Sequence, residues 1–266
     1  MAAGDLNGDG IDDLVVGAPF EDLTFTDEGM IHVALGMPGG GFVPGAFPSI
    51  IQSMAGEPSE PGDGFGWTLT VADLDGDQFA DLIIGVPHED LPGAPDAGLV
   101  HILFGGPGGP LTGGVMLFTQ AGLGDPSEPG DKFGWAIAAG DMDANGIDDL
   151  LVGAPTEDIG ALADAGLVIG IGFAPGGGII GVLPVTHGTF GVDVTEATDE
   201  FGFSVAVGDL NGDGFGDAII GSPGEIRGGL ADGGQVSIVP GGPGGLGTGP
   251  LPSFWSQNTA GILRGA

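Results

Sequence analysis

One period governs this chain. GDLNGDGIDDLVVGAPFED (4–22), ADLDGDQFADLIIGVPHED (72–90), GDMDANGIDDLLVGAPTED (140–158) and GDLNGDGFGDAIIGSPGEI (208–226) are copies of one segment. Their leading aspartates Asp5, Asp73, Asp141 and Asp209 are spaced by 68 residues. Phe65-Gly66, Phe133-Gly134 and Phe201-Gly202 keep the same step, as do Pro19, Pro87, Pro155 and Pro223. A chain built this way folds as stacked copies of one supersecondary unit, each too small to bury its own faces. The units fall at approximately 1–64, 65–132, 133–200 and 201–266 of one domain spanning 1–266.

Within a unit the apolar runs are four to six residues long and bounded by Gly, Pro or Asp. WTLTVA (67–72), WAIAA (135–139) and FSVAV (203–207) form the first set. LVV (14–16), LII (82–84), LLV (150–152) and AII (218–220) form the second. MIHVAL (30–35), LVHILF (99–104), LVIGI (167–171) and QVSIV (235–239) form the third. A weaker fourth set is VMLFT (115–119), FPSII (47–51) and PSFW (252–255). Such runs are strands, and no apolar pattern of helical period is sustained. Four short antiparallel strands per repeat predict an all-β fold of propeller blades. The 60 glycines serve the turns and the close strand contacts this requires.

Charge narrows the partners. Three Lys and Arg stand against 37 Asp and Glu, a formal net charge of -34. Nucleic acid and anionic membrane surfaces both demand cationic protein and are excluded as partners. With no cysteine, disulfides and thiolate metal sites are excluded. No apolar run approaches the about 20 residues of a membrane-spanning helix, and the first residues lack the pattern of a signal peptide. So much like charge in a compact body repels itself, and multivalent cations are the expected remedy.

The acids are placed accordingly. Each unit joins its first two strands by D-x-[DN]-x-[DN]-x-x-x-D. The sets are Asp5, Asn7, Asp9 and Asp13; Asp73, Asp75, Asp77 and Asp81; Asp141, Asp143, Asn145 and Asp149; and Asp209, Asn211, Asp213 and Asp217. Oxygens at positions one, three and five converge when such a loop curls. The backbone carbonyls at position seven (Ile11, Phe79, Ile147, Phe215) can complete the ring, and Gly10, Gly146 and Gly214 permit the turn. Hard oxygen ligands in this number suit Ca²⁺, about one ion per loop. An EF-hand needs Glu at position twelve and flanking helices, whereas Val16, Ile84, Val152 and Ile220 stand there in strands. The Asp at position nine therefore supplies the closing carboxylate.

FGWAIAAGDMDANGIDDLLVGAPTED (133–158) resembles an FG-GAP repeat, the unit of the integrin α-chain propeller and of bacterial secreted FG-GAP and VCBS-type proteins. Phe133-Gly134 is its FG and Gly153-Ala154-Pro155 its GAP. Gly17-Ala18-Pro19, Gly85-Val86-Pro87 and Gly221-Ser222-Pro223 correspond in the other units. The resemblance implies Ca²⁺ in the loop between the first two strands of each blade, held by the residues just named. The family propeller commonly has seven blades against four units here. The four are therefore expected as a small ring, a part of a larger propeller, or an array completed by another copy head to tail. Gln78 and Ala144 depart from the family glycine pattern, and less regular second and third loops are expected.

Beyond the loops the sequence offers weaker candidates. Acidic segments precede FG at 56–64, 124–132 and 192–200 and read as solvated, stiffened turns, with a ligand face as the alternative. Glu21, Glu89, Glu157 and Glu225 follow GAP, facing either a calcium loop or water. His32 and His101 read as strand-surface residues, and His88 and His187 as isolated. Trp67, Trp135 and Phe203 read as packing between blades. No phosphate-binding loop, nucleophile elbow or dinucleotide fingerprint stands in a sensible context. The expectation is a secreted, calcium-binding module that is not an enzyme and binds a protein or glycan, or other copies of itself. A polysaccharide lyase on a calcium propeller scaffold is the alternative.

Overall fold

The computed structural model describes residues 1–43, 49–191, 193–226, 233–250 and 252–256. They form four antiparallel sheets of four strands, and no sheet closes on itself. The first holds β1 (Ala2–Gly4), β2 (Asp13–Ala18), β3 (Met30–Gly36) and β4 (Phe42–Val43). The second holds β5 (Thr68–Ala72), β6 (Asp81–Val86), β7 (Leu99–Phe104) and β8 (Gly114–Phe118). The third holds β9 (Ala136–Gly140), β10 (Asp149–Ala154), β11 (Leu167–Ala174) and β12 (Gly178–Val185). The fourth holds β13 (Ser204–Gly208), β14 (Asp217–Ser222), β15 (Gln235–Val239) and β16 (Ser253–Ser256). In each sheet the strands lie side by side in chain order, the meander of a propeller blade. Single turns of 3₁₀ helix at Gln52–Met54 and Ala121–Leu123 are the only helical elements among the described residues.

The apolar runs fix which strands lie deep. β6, β7 and β10 are buried at every position, as expected of β-branched runs covered on both faces. The fourth strands β8 and β12 are mostly exposed. The chain packs as two compact units: Met1–Trp135 with Ala174–Gly178, and Ala136–Phe173 with Ile179–Ala266. Leu6, Val15, Ile31, Phe65, Ile84 and Leu103 centre the core of the first. Met142, Leu151, Val168, Phe201, Ile220 and Val239 centre that of the second.

Two of the repeat's signature glycines meet inside these units. A Cβ on Gly17 would stand 2.0 Å from the Gly66 carbonyl oxygen, and one on Gly85 2.0 Å from that of Gly134. In the second unit, one on Gly153 would stand 2.2 Å from that of Gly202. The GAP glycine of one blade is thus the floor on which the FG glycine of the next rests. The FG phenylalanine beside it is clamped by backbone: Phe65 N–H donates to Glu28 O at 3.0 Å and Phe133 N–H to Ala97 O at 2.9 Å. Both rings are fully buried.

The first blade departs from the sequence reading. Its fourth strand is Phe42–Val43, paired to Leu35 and Gly36, and not the run at 47–51. Gly39, Gly40 and Gly41 all have positive φ, so the chain reverses at once after β3. Of the run at 47–51, residues 47 and 48 lie outside the described residues, and Ile50 makes a lone bridge to Ile31.

Candidate metal centre

Every acidic loop is suspended between two paired residues of one hairpin. Gly4 pairs with Asp13, Ala72 with Asp81, Gly140 with Asp149 and Gly208 with Asp217. The eight residues between them close on themselves through side chain-to-backbone bonds. In the first loop Asp5 accepts the amides of Gly8 at 2.7 Å, Asp9 at 3.1 Å and Gly10 at 2.7 Å. Asn7 Oδ1 accepts Asp9 N–H and Asp9 Oδ1 accepts Ile11 N–H, each at 2.9 Å. The other loops repeat this pattern: Asp73 takes Gly76 and Gln78, Asp141 takes Asn145 and Gly146, and Asp209 takes Gly212, Asp213 and Gly214. The N–H groups of Gly214 and Gly212 hold the Asp209 carboxyl below its ordinary range.

The curl needs positive φ at two places. Gly8 and Gly10 supply it first, then Gly76 and Gln78, Ala144 and Gly146, and Gly212 and Gly214. Gln78 at φ 75° and Ala144 at φ 59° adopt the same left-handed backbone as the glycines they replace. The expected irregularity of the second and third loops is therefore absent from the backbone path, and appears as local strain.

The ninth-position aspartates do more than close a loop. All four are buried. One oxygen of each accepts the second loop residue's amide: Leu6 at 3.2 Å, Leu74 at 2.8 Å, Met142 at 3.0 Å and Leu210 at 3.0 Å. The other accepts an amide at or just after the third strand: Gly36 at 3.0 Å, Gly105 at 2.9 Å, Phe173 at 2.9 Å and Gly241 at 3.1 Å. Each therefore ties its loop to the far side of its own blade. Burial pushes Asp81 up to about 7 and Asp149 to about 6, against the pull of these amides. Burial raises Asp13 as well.

The predicted ligands come together unevenly. Asp73, Asp75 and Asp81 each bring a carboxylate oxygen within 4.8 Å of the others, and so do Asp141, Asp143 and Asp149. Burial raises the Asp75 carboxyl, as its neighbours Asp77 and Asp73 also do. In the first and fourth loops position three is Asn7 or Asn211. Their amide nitrogens lie 3.4 Å and 3.5 Å from Asp13 and Asp217, so these loops gather less charge. At position five, Asp77 and Asp213 point to Phe79 and Phe215 N–H, while Asn145 bridges Ile147 N–H and Phe173 O. The residues at position seven, Ile11, Phe79, Ile147 and Phe215, are thus held by their amides with the loop curled around them. Neighbouring loops are also joined within each unit, Ala80 N–H to Asp5 O at 2.9 Å and Gly216 N–H to Asp141 O at 2.8 Å. Convergent, hard, all-oxygen donor sets of this kind fit a divalent cation of the Ca²⁺ class.

Other sequence readings need correction. His101 is wholly buried, its Nδ1 3.0 Å from Ala55 O and its ring against Phe65, because the first blade covers that face of β7. His32 stays exposed beside Ser49. His88 is not isolated: Asp96 lies at 3.1 Å and the Trp67 ring at 5.0 Å. Trp67 and Trp135 pack together at 5.1 Å, as expected, whereas Phe203 and Trp255 are exposed. Glu21 faces water, while Glu89, Glu157 and Glu225 are buried away from the calcium-type loops. Glu89 instead accepts Gln52 Nε2 and lies beside Asp63, from one of the acidic turns before FG. Two unremarkable sequence features, an acidic turn and a post-GAP glutamate, meet in the core.

Comparison with known proteins decides the family. An FG-GAP repeat profile matches residues 1–33, 65–103, 133–170 and 201–239, more than half of the chain. The chain belongs to the FG-GAP repeat family. Bovine phosphatidylinositol-glycan-specific phospholipase D is 31% identical over 159 residues, 59% of this chain and 18% of that protein. Drosophila melanogaster integrin alpha-PS2 is 32% identical over 174 residues, covering 59% of this chain and 11% of that one. Xenopus laevis integrin alpha-5 is 31% identical over 215 residues, 74% of this chain and 18% of that one. This FG-GAP chain thus spans less than a fifth of the length of these relatives. In fold it is similar to a Bacillus licheniformis rhamnogalacturonan lyase, with a TM-score of 0.51 at 14% identity, covering 99% of this chain and 50% of that one. The expectation that the chain is not an enzyme is corrected by these findings. A phospholipase stands among its sequence relatives, and the fold is shared with a lyase.

Proposed function

We propose that this FG-GAP chain is one calcium-stabilised β-propeller domain that works outside the cell, presenting rigid blade rims to a protein or glycan ligand or to further copies of itself. The carrying observation is the gathering of Asp73, Asp75 and Asp81, and of Asp141, Asp143 and Asp149, each within 4.8 Å, in a chain of formal charge -34. Like charges so placed raise the energy of the folded loop, and a bound Ca²⁺ reverses the sign of that term. Asp5 to Asp13, Asp73 to Asp81, Asp141 to Asp149 and Asp209 to Asp217 are the four cradles, with the carbonyls of Ile11, Phe79, Ile147 and Phe215 completing them. About four Ca²⁺ ions fill the chain, and extracellular calcium keeps even weak sites of this type occupied.

The decisive experiment is thermal unfolding with EDTA and with Ca²⁺ added back. A large fall in Tm on chelation, restored by Ca²⁺ and poorly by Mg²⁺, supports the reading; an unchanged Tm overturns it. Light scattering with and without Ca²⁺ then separates the two binding roles. Ordered polymers mean self-assembly, and a stable monomer means a receptor module.

A further inference from the structure

In the second compact unit, away from the loops, His187, Asp199 and Glu225 bring one ligand atom each to within 4.8 Å of one another, and all three are buried. His187 Nδ1 lies 2.9 Å from Asp199 Oδ2 and 3.3 Å from Glu225 Oε2. On the other side of the ring, Ser222 Oγ lies 2.9 Å from Nε2 and Gln235 Nε2 lies 3.4 Å from it. The ring is held edge-on to Phe201 with centroids 4.6 Å apart. Asp199 Oδ2 also accepts Glu196 N–H at 2.7 Å, whereas Asp199 Oδ1 is fully buried with no hydrogen-bond partner. A charged oxygen left so in the interior is costly unless a cation meets it.

We propose that His187 Nδ1, Asp199 and Glu225 form a binding site for a divalent metal of the Zn²⁺ class, separate from the calcium loops. Three features carry it. Tetrahedral ligands at about 2.0–2.2 Å from a zinc ion stand about 3.3–3.6 Å apart. The 3.3 Å spacing is already such an edge, and the 2.9 Å one needs to open by only a few tenths of an ångström. The donor set mixes imidazole with carboxylates, which suits Zn²⁺ and its neighbours better than Ca²⁺. The Ser222 contact also fits: with Nδ1 on the metal, the ring proton sits on Nε2 and is donated to Ser222 Oγ, fixing the tautomer.

Two carboxylates and an imidazole buried together, with Asp199 Oδ1 lacking a hydrogen-bond partner, make a donor set that a divalent cation can meet.

The first unit shows the same latch without the imidazole. Asp63 and Glu89 stand 136 residues before Asp199 and Glu225, two repeat steps, and are likewise buried. Gln52 takes the place of His187, giving its amide N–H to Glu89, and its Oε1 is buried without a partner. His187 is therefore the change that turns an oxygen-only latch into one with a nitrogen ligand. It also supplies a mild variant, because His187→Gln restores what the first unit already tolerates.

The experiment uses the whole chain in saturating Ca²⁺, so that the loops are filled whether or not they matter. Calorimetric titration with Zn²⁺ is expected to show one tight equivalent in the parent. His187→Gln and Asp199→Asn are expected to weaken it at least tenfold with unchanged circular dichroism. His88→Gln, which alters the exposed His88–Asp96 pair, is expected to leave it intact. Co²⁺ in place of Zn²⁺ should give visible d–d absorption that His187→Gln abolishes. No Zn²⁺ uptake, or uptake that survives His187→Gln or disappears with His88→Gln, overturns the proposal.

Discussion

Asp81 reaches across its blade to Gly105: its Oδ1 accepts the Gly105 amide at 2.9 Å while its other oxygen takes Leu74 N–H at 2.8 Å. A residue in the ligand pattern is therefore also a mechanical tie between the second acidic loop and the end of β7. The two roles separate in the absence of metal. Removing a buried acceptor strands two amides, at about 1–3 kcal/mol each. Asp81→Ala in EDTA is thus expected to lose about 2–4 kcal/mol of stability by urea denaturation. Asp77→Ala, which gives up the solvent-facing bond from Phe79 N–H and relieves repulsion on Asp75, should change little in EDTA but lower calcium affinity. Equal effects of both variants in EDTA would contradict the tie.

Strain at the two replaced glycines gives an opposite prediction. Gln78 and Ala144 hold φ of 75° and 59°, where an L side chain costs about 1 kcal/mol relative to Gly. Glycine loses more chain entropy on folding, which offsets part of the gain. Gln78→Gly and Ala144→Gly are each expected to raise stability by a few tenths to about 1 kcal/mol. Calorimetry of the two single variants checks the size, and a loss of stability would refute the strain.

Much of this was legible from the repeat. Period, strand runs and loop register all follow from local pattern, because the second and third strands carry the core and β6, β7 and β10 are buried on both faces. The edge strands were not. Gly178–Val185 is mostly exposed and carries Pro184, so it contributes backbone bonds without a hydrophobic signature. Phe42–Val43 is fixed by three turn glycines, and the more apolar run at 47–51 drew the prediction away from it. Likewise, Glu89 was assigned either to a loop or to water. Its true neighbours, Gln52 and Asp63, come from the preceding unit, and aligning repeats on one another hides contacts between consecutive copies. Burial of His101 was missed for the same reason, since His32 at the equivalent place is exposed.

His101 makes stability depend on acid. Burial lowers its pKa to about 4 from 6.5, partly opposed by the bond to Ala55 O. The unfolded chain therefore takes up a proton between those values while the folded chain does not. Stability is full above about pH 6.5 and falls as the pH drops towards 4. At about 1.4 kcal/mol per pKa unit, a drop of about 2.5 units puts the full loss at roughly 3.5 kcal/mol. His101→Gln should flatten this part of the curve of unfolding free energy against pH, measured at fixed calcium. An unchanged slope between pH 6.5 and 4 would show that other groups carry it.

The contact between GAP and FG glycines predicts which substitutions the fold cannot absorb. A methyl on Gly85 would stand 2.0 Å from Gly134 O and 2.3 Å from Thr68 Oγ1. The first neighbour is backbone and cannot rotate away, so the blades must part or the strand must shift. Gly208 is the control: it also lies in a strand, and a Cβ there meets nothing within 4 Å. Gly85→Ala is expected to destabilise by about 2–4 kcal/mol, in the range of overpacked cores, and to do so equally with and without Ca²⁺. Gly208→Ala should be neutral or slightly stabilising, because alanine reduces the freedom of the unfolded chain. Chemical denaturation of the pair, each with EDTA and with Ca²⁺, measures the difference. If Gly85→Ala were tolerated like Gly208→Ala, the blades would not be seated glycine on glycine, and the spacing of FG to GAP would need another cause.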